Sequence, residues 1–121
     1  MASEKQFETK VKKYLKDNGC YEVKFFANAY TKTGVPDVLA CVRGFFFGIE
    51  LKAPNGRPTP IQIYNLEQIH KAGGFGILLY PKDYNIFTDL IQGIIFSKED
   101  VLEDYEYFRK ELERWKLRKE L

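Results

Sequence analysis

Gly34-Val-Pro-Asp-Val-Leu-Ala-Cys-Val-Arg-Gly-Phe-Phe-Phe-Gly-Ile-Glu-Leu-Lys52 is the stretch on which the fold turns. Two strand-forming runs, Val35–Val42 and Phe45–Lys52, flank Arg43-Gly44, which reads as a two-residue hairpin turn although it is not the ideal pair. If those two residues make the turn, Val42 pairs with Phe45, and each step back along one strand matches a step forward along the other. Asp37 then falls directly opposite Glu50. Opposed positions hold their Cβ atoms about 4.5–5.5 Å apart, where two carboxylates repel one another. Lys52, two residues beyond Glu50, projects from the same face of the strand. Two carboxylates and an ammonium therefore converge near the open end of a hairpin.

Working outward, residues 3–18 read as a helix. Ser3 and Gln6 have capping-box spacing, Phe7, Val11, Tyr14 and Leu15 recur at helical spacing, and Asn18-Gly19 supplies the stop. Tyr21–Ala27 is rich in strand formers, and Asn28–Gly34 reads as a loop. Downstream, 53–58 is a loop. Thr59, Pro60 and Gln62 then start a second helix that runs to about Lys71, where Gly73-Gly74 breaks it. Phe75–Tyr80 is nearly all apolar, as a strand buried on both faces should be. Asp83–Phe96 reads as a short helix. Ser97 is the expected cap of a long terminal helix through about Glu120, its apolar stripe formed by Val101, Leu102, Tyr105, Phe108, Leu112 and Trp115. Its acidic residues cluster early and its basic ones late, as the helix dipole favours. The order helix, three strands, helix, strand, helix, helix implies a single α/β or α+β domain with a small mixed sheet.

Composition narrows the class. The 121 residues are one domain's worth, and 45% hydrophobic with 30% charged residues suits a globular chain. No apolar run approaches the ~20 residues of a membrane span, and the start MASEKQFETK is too charged for a signal peptide. With only Cys20 and Cys41, the expectation is a reducing, cytoplasmic setting without a disulfide framework. Those two cysteines and the single histidine, His70, cannot build a Cys/His zinc site or a scheme that needs two histidines; His70 reads as a helix-terminal or packing residue. A net charge of +2 neither demands nor forbids a nucleic-acid partner. No Gly-x-x-x-x-Gly-Lys loop is present, so the chain carries no ATP-driven motor of that type.

The chemistry follows from the converging charges. A like-charge pair near an apolar core is costly unless a cation lies between its members. Hard oxygen ligands at that spacing suit Mg²⁺ or Mn²⁺, which accept water and phosphate oxygens as further ligands. A lysine beside the attacking water orients or deprotonates it and offsets charge growing on phosphorus. Taken singly, Pro-Asp is often only a turn and Glu-x-Lys a solvated strand face. Brought into hairpin register ahead of a basic, Gly-containing loop, they favour metal-assisted phosphodiester hydrolysis.

Gly34-Val-Pro-Asp37, Glu50-Leu-Lys52-Ala-Pro, Gly56-Arg57 and Gln62 together resemble the VRR-NUC branch of the PD-(D/E)XK nuclease superfamily, over about residues 4–80. The resemblance implies a restriction-endonuclease-like αβββαβ core over 1–96, followed by a C-terminal helical extension over 97–121. It implies metal binding by Asp37, Glu50 and the Leu51 backbone carbonyl, with Lys52 as the catalytic lysine. It also implies a carboxylate from the first helix, for which Glu8 falls in register with Lys24 and Glu4 is the fallback; a solvated helix carboxylate is the alternative for either. The matching Gln62 would join the active site, in competition with its capping-box use.

Stand-alone relatives of this branch are phage and bacterial proteins, and larger ones cut branched DNA. The resemblance thus implies a DNA substrate such as a flap, a splayed arm or a four-way junction. From the residues themselves, Lys24 and Arg57 are candidate phosphate contacts or else solvated charges on a strand edge and a loop, and Tyr30 with Lys32 combines a stacking face with positive charge, a combination also common in ordinary loops. So small a domain has a limited footprint, which makes a homodimer the expected assembly. The terminal helix offers core or dimer surface, with a basic end at 116–119 that could meet phosphates. Two other classes remain: a nucleic-acid-binding module that keeps the fold without cutting, and an interaction protein that docks a partner through its last helix.

Overall fold

A computed structural model describes residues 3–118, and within it the chain is an α/β structure whose four-stranded mixed sheet is flanked by helices. In chain order the elements are α1 (Glu4–Asp17), β1 (Tyr21–Lys24), β2 (Val38–Val42), β3 (Phe45–Leu51), α2 (Pro60–Lys71), β4 (Phe75–Leu79), a 3₁₀ turn (Pro81–Asp83), α3 (Tyr84–Ile95) and α4 (Val101–Lys116). The sheet order is β1-β2-β3-β4. β1, β2 and β3 pair antiparallel, while β4 returns parallel to β3 through the α2 crossover.

The hairpin has the register that its turn implies. Val42 pairs with Phe45 and Val38 with Ile49, so the next rung places Asp37 opposite Glu50. Arg43 and Gly44 have φ of 48° and 86°, the doubly positive pair of a type I′ turn, whose twist matches that of the flanking strands. Both helix-start capping boxes form: Ser3 with Gln6 on α1, and Thr59 with Gln62 on α2. Each satisfies backbone N–H groups that a helix start leaves without partners.

Alternation along the strands sorts the core into two layers. Val38, Ala40, Val42, Phe47, Ile49, Leu51, Ile77 and Leu79 face α1 and α3, meeting Phe7, Val11, Leu15, Phe87, Leu90 and Ile91. On the other face α2 lies close against β3 and β4. That approach needs glycine. A Cβ at Gly76 would sit 2.3 Å from the Leu66 carbonyl oxygen, and one at its rung partner Gly48 would sit 2.3 Å from Ile69 Cδ1. α4 contributes to both layers, with Tyr105 and Phe108 in the first and Leu112 and Trp115 packed with Ile63, Leu66, Leu78 and Tyr80 in the second. Tyr105 Oη accepts the Gly76 N–H at 3.2 Å and lies 3.0 Å from His70 Nδ1, so α4 covers β4's otherwise open edge. His70 is thereby a packing residue in the last turn of α2.

Several boundaries differ from the sequence reading. β1 ends at Lys24 rather than Ala27: one further bond, Phe25 N–H to Asp37 O at 2.8 Å, closes the ladder before the exposed Phe26 leaves it. β2 begins at Val38, after Pro36, which has no N–H to donate to a ladder. α3 starts at Tyr84 rather than Asp83, because Pro81–Asp83 forms a 3₁₀ turn. Ser97 does not cap the last helix; it ends α3. With φ of +53°, it donates its N–H to Ile94 O, and Lys98 donates to Gly93 O at 2.8 Å, the bond pattern of a Schellman motif. α4 therefore begins at Val101, after Asp100, whose side chain makes no cap bond, and closes at Lys116; Lys119 and Glu120 lie outside the described residues. Leu102 is exposed instead of joining the apolar stripe. No helix among the described residues is long and apolar enough to cross a membrane.

Candidate active site

The candidate residues gather at one end of the sheet, where β1 and β3 finish, β2 begins and the first turns of α1 and α2 lie. Asp37 reaches its place because the loop before it is pinned to α2. Gly34 adopts φ of +81° against Ile61 and Asn65, and a Cβ there would meet Ile61 Cγ1 at 2.8 Å. The buried Asn65 donates through Nδ2 to Thr33 O at 3.2 Å and to Ile61 O at 2.9 Å. Sequence reading passed over Asn65. The available signal was an amide side chain between Ile63 and Leu66 on an otherwise apolar helix face.

Asp37 then does two things. Its Oδ2 accepts the Leu51 backbone N–H at 2.9 Å, which brings the Leu51 peptide beside the carboxylate. Its charge also bears on Glu50. Glu50 is only 3% exposed, and its carboxyl is pushed up to about 8, first by burial and then by the charge and hydrogen bonding of Asp37. The Lys52 ammonium, 3.6 Å from Glu50 Oε2, opposes that rise without cancelling it. The rise favours the protonated form of Glu50 near neutral pH.

Lys24 occupies the other side of Asp37. Its ammonium is 2.7 Å from Glu8 Oε1 and 3.9 Å from Asp37 Oδ1, tying α1 to the start of β2. Burial lowers the Lys24 pKa, but the hydrogen bond it donates to Glu8 and the neighbouring carboxylates outweigh it, leaving the ammonium's pKa above its ordinary value. Glu8 is thus the α1 carboxylate nearest the pair, through Lys24; Glu4 is exposed in the first turn. Gln62 lies on α2's first turn with its Oε1 accepting the Thr59 N–H at 2.9 Å, so its oxygen serves the cap in this state.

The loop after β3 is held in place as well. Tyr80 donates its hydroxyl hydrogen to Gly56 O at 2.7 Å, and Gly56 lies over the Lys52 stem, where a Cβ would meet Lys52 Cβ and Cδ at 3.4 Å. Lys52 is therefore confined between this loop and Glu50, with its side chain 13% exposed. Arg57 is on the exposed side of the same loop. Tyr30 is 98% exposed and Lys32 is also exposed, on the loop between β1 and β2.

Among the described residues no three His, Cys, Asp or Glu side chains are grouped closely enough to hold a metal ion. The chain offers instead the Asp37–Glu50 pair and the adjoining Leu51 peptide, with Glu8 turned toward Lys24. Two hard carboxylate oxygen donors, one with its pKa raised first by burial and then by its charged neighbour, fit a hard divalent ion that keeps most of its own waters. Such an ion would replace the Glu50 proton. Compared with family models, with curated proteins and with solved structures, the chain matches none.

Proposed function

We propose that the chain is a metal-dependent nuclease that hydrolyses DNA phosphodiester bonds, with Asp37, Glu50 and Lys52 as the core of its site. The observation that carries this reading is the Asp37–Glu50 pair: two opposed carboxylates, one of them buried and held protonated, with an ammonium 3.6 Å away on the same strand face. Burying such a pair destabilises a fold, and a structural role would be served as well by an apolar rung. The resemblance to the VRR-NUC branch of the PD-(D/E)XK superfamily points to the same residues, and the helix-strand order α1-β1-β2-β3-α2-β4 is compatible with its αβββαβ core.

Asp37, Glu50 and the Leu51 carbonyl would hold Mg²⁺ or Mn²⁺, with Glu8 as a further candidate once Lys24 releases it. When bound, the ion supplies Lewis-acid activation and charge neutralisation at the phosphate. Lys52 orients the attacking water and stabilises the negative charge that grows on the phosphate oxygens as the new P–O bond forms and the bond to the leaving oxygen breaks. The stem of Lys52, pressed between Gly56 and Glu50, limits the positions its ammonium can take. Gln62 would contribute only by leaving the Thr59 cap. Lys24, Arg57, Tyr30 and Lys32 are the proposed contacts to the rest of the strand.

A structure-selective substrate, a symmetric homodimer and an intracellular setting belong to the same proposal. One observation favours a second reading, a nucleic-acid-binding module that does not cut: Lys24 already bridges Glu8 and Asp37 and so neutralises part of the site without a metal. A labelled panel of linear duplex, single strand, flap, splayed arm and four-way junction, incubated with Mg²⁺ or Mn²⁺, tests between them. Cutting of any member supports the nuclease and names its substrate. Binding in gel shifts with every member intact supports the module.

A further inference from the structure

The carboxyl ends of the two parallel strands β3 and β4 lead to different places. β3 leads to Lys52. β4 leads to a cavity of about 400 Å³ between the 54–57 loop and the last turns of α4. Crevices outside the carboxyl ends of parallel strands are where open α/β sheets take ligands. Among the described residues four cationic side chains line this one, Arg57, Lys82, Arg114 and Arg118, and two carboxylates, Asp83 and Glu111.

The carboxylates are already engaged. Asp83 is buried under the Tyr107 hydroxyl and Lys82 Nζ, and Glu111 takes Lys82 at 3.5 Å and Arg114 at 2.9 Å. Arg114 remains 75% exposed, and a surface pair of this kind exchanges readily for a phosphate. Arg118 has no carboxylate partner among the described residues; its guanidinium lies over Trp115, 4.2 Å from the ring centroid. A guanidinium over an indole ring in the lining of a cationic cavity suits an anionic backbone with a flat base beside it. Tyr80 joins the two regions, lining this cavity while its hydroxyl holds the Gly56 carbonyl of the loop that covers Lys52.

The geometry points to a second contact for the substrate strand: this cavity binds a phosphodiester of single-stranded nucleic acid, through Arg114 and Arg118, next to the site at Lys52. The inference rests on the nuclease reading for its role but not for its test. Trp115 is the chain's only tryptophan, so its emission reports on this cavity alone. A short oligothymidylate is titrated into the full chain in EDTA, where metal-dependent cutting cannot occur, and Trp115 fluorescence is followed together with the anisotropy of a labelled oligonucleotide.

The expected result is saturable quenching. Arg114→Ala and Arg118→Ala should each weaken binding several-fold and reduce the salt-dependence slope by roughly 0.7–1, the value of one phosphate contact. Lys16→Ala, on α1 at the opposite end of the sheet, should change neither. Absence of quenching, or equal weakening by Lys16→Ala, overturns the assignment even where the chain cuts DNA with metal. Arginine-sensitive quenching supports it even where no metal yields cutting, in which case the nuclease reading alone has failed.

Discussion

Asp37 faces Glu50 across the β2–β3 ladder while its own Oδ2 accepts the Leu51 N–H at 2.9 Å, so one carboxylate both adds to the rise that burial imposes on Glu50 and holds the peptide that follows Glu50. Both roles come from the strand register and the pinned loop ahead of Asp37. The functional account depends on that arrangement.

The cost of the pair should be visible in stability. Glu50 is raised from 4.5 to about 8, so between those values the folded state holds a proton that the unfolded state has lost. The folded state binds more protons there, and stability therefore falls as pH rises through this window and levels off above it. At about 1.4 kcal/mol per unit, the loss amounts to a few kcal/mol. Glu50→Gln removes the titration. It should melt at a higher temperature than wild type at pH 8 to 9 and close to wild type near pH 4, as read by thermal melts across that range. A variant less stable than wild type at high pH would contradict the assignment.

Metal binding should carry the opposite pH dependence. A divalent ion displaces the Glu50 proton, so the thermal stabilisation by Mn²⁺ should grow from pH 6 to pH 8 as that proton becomes easier to remove. Asp37→Ala should abolish the Mn²⁺ effect. A shift that is the same at both pH values, or that survives in Asp37→Ala, would place the ion elsewhere.

Two glycines on one rung should respond differently to a methyl group. At Gly76 a Cβ meets the Leu66 backbone oxygen, which cannot move without shifting α2; at Gly48 the nearest atom is the end of the Ile69 side chain. Gly76→Ala should cost more than about 2 kcal/mol and Gly48→Ala about 1 kcal/mol or less, compared by urea denaturation. Equal costs would mean that α2 does not rest on β4 as described.

Ser97 holds a left-handed conformation at the end of α3, where glycine is the usual residue. Ser97→Gly relieves that strain and should raise stability by about 0.5–1 kcal/mol net of the added freedom of the unfolded chain. A loss would show that the serine side chain supports the turn.

How much was legible in advance divides along physical lines. The hairpin register, both capping boxes and the doubly buried β4 were readable because each rests on a local rule: turn length, cap spacing, or an unbroken apolar run. Ser97 was misplaced because a serine ahead of an acidic stretch looks like a helix start, whereas the Lys98 to Gly93 bond that makes it a helix end is invisible in sequence. Leu102 fell in helical phase with the stripe but sits in α4's first turn, where little packs over it. Lys24 and Glu8 were both legible as candidates. That they would pair with each other was not, because the contact joins an α1 side chain to the end of β1 through tertiary placement alone. The cavity beside Trp115 likewise depends on α4 crossing to the α2 side, which no periodicity specifies.

Metal-dependent cleavage by the wild type, set beside Asp37→Ala and Lys52→Ala at matched concentration with an EDTA control, decides whether Asp37 and Lys52 carry a nuclease site. Cutting is expected in Mg²⁺ or Mn²⁺, none in EDTA, and rates lower by about 10²-fold or more in both variants while both stay folded. Cutting that persists in EDTA, or that either variant retains at the wild-type rate, would contradict that assignment.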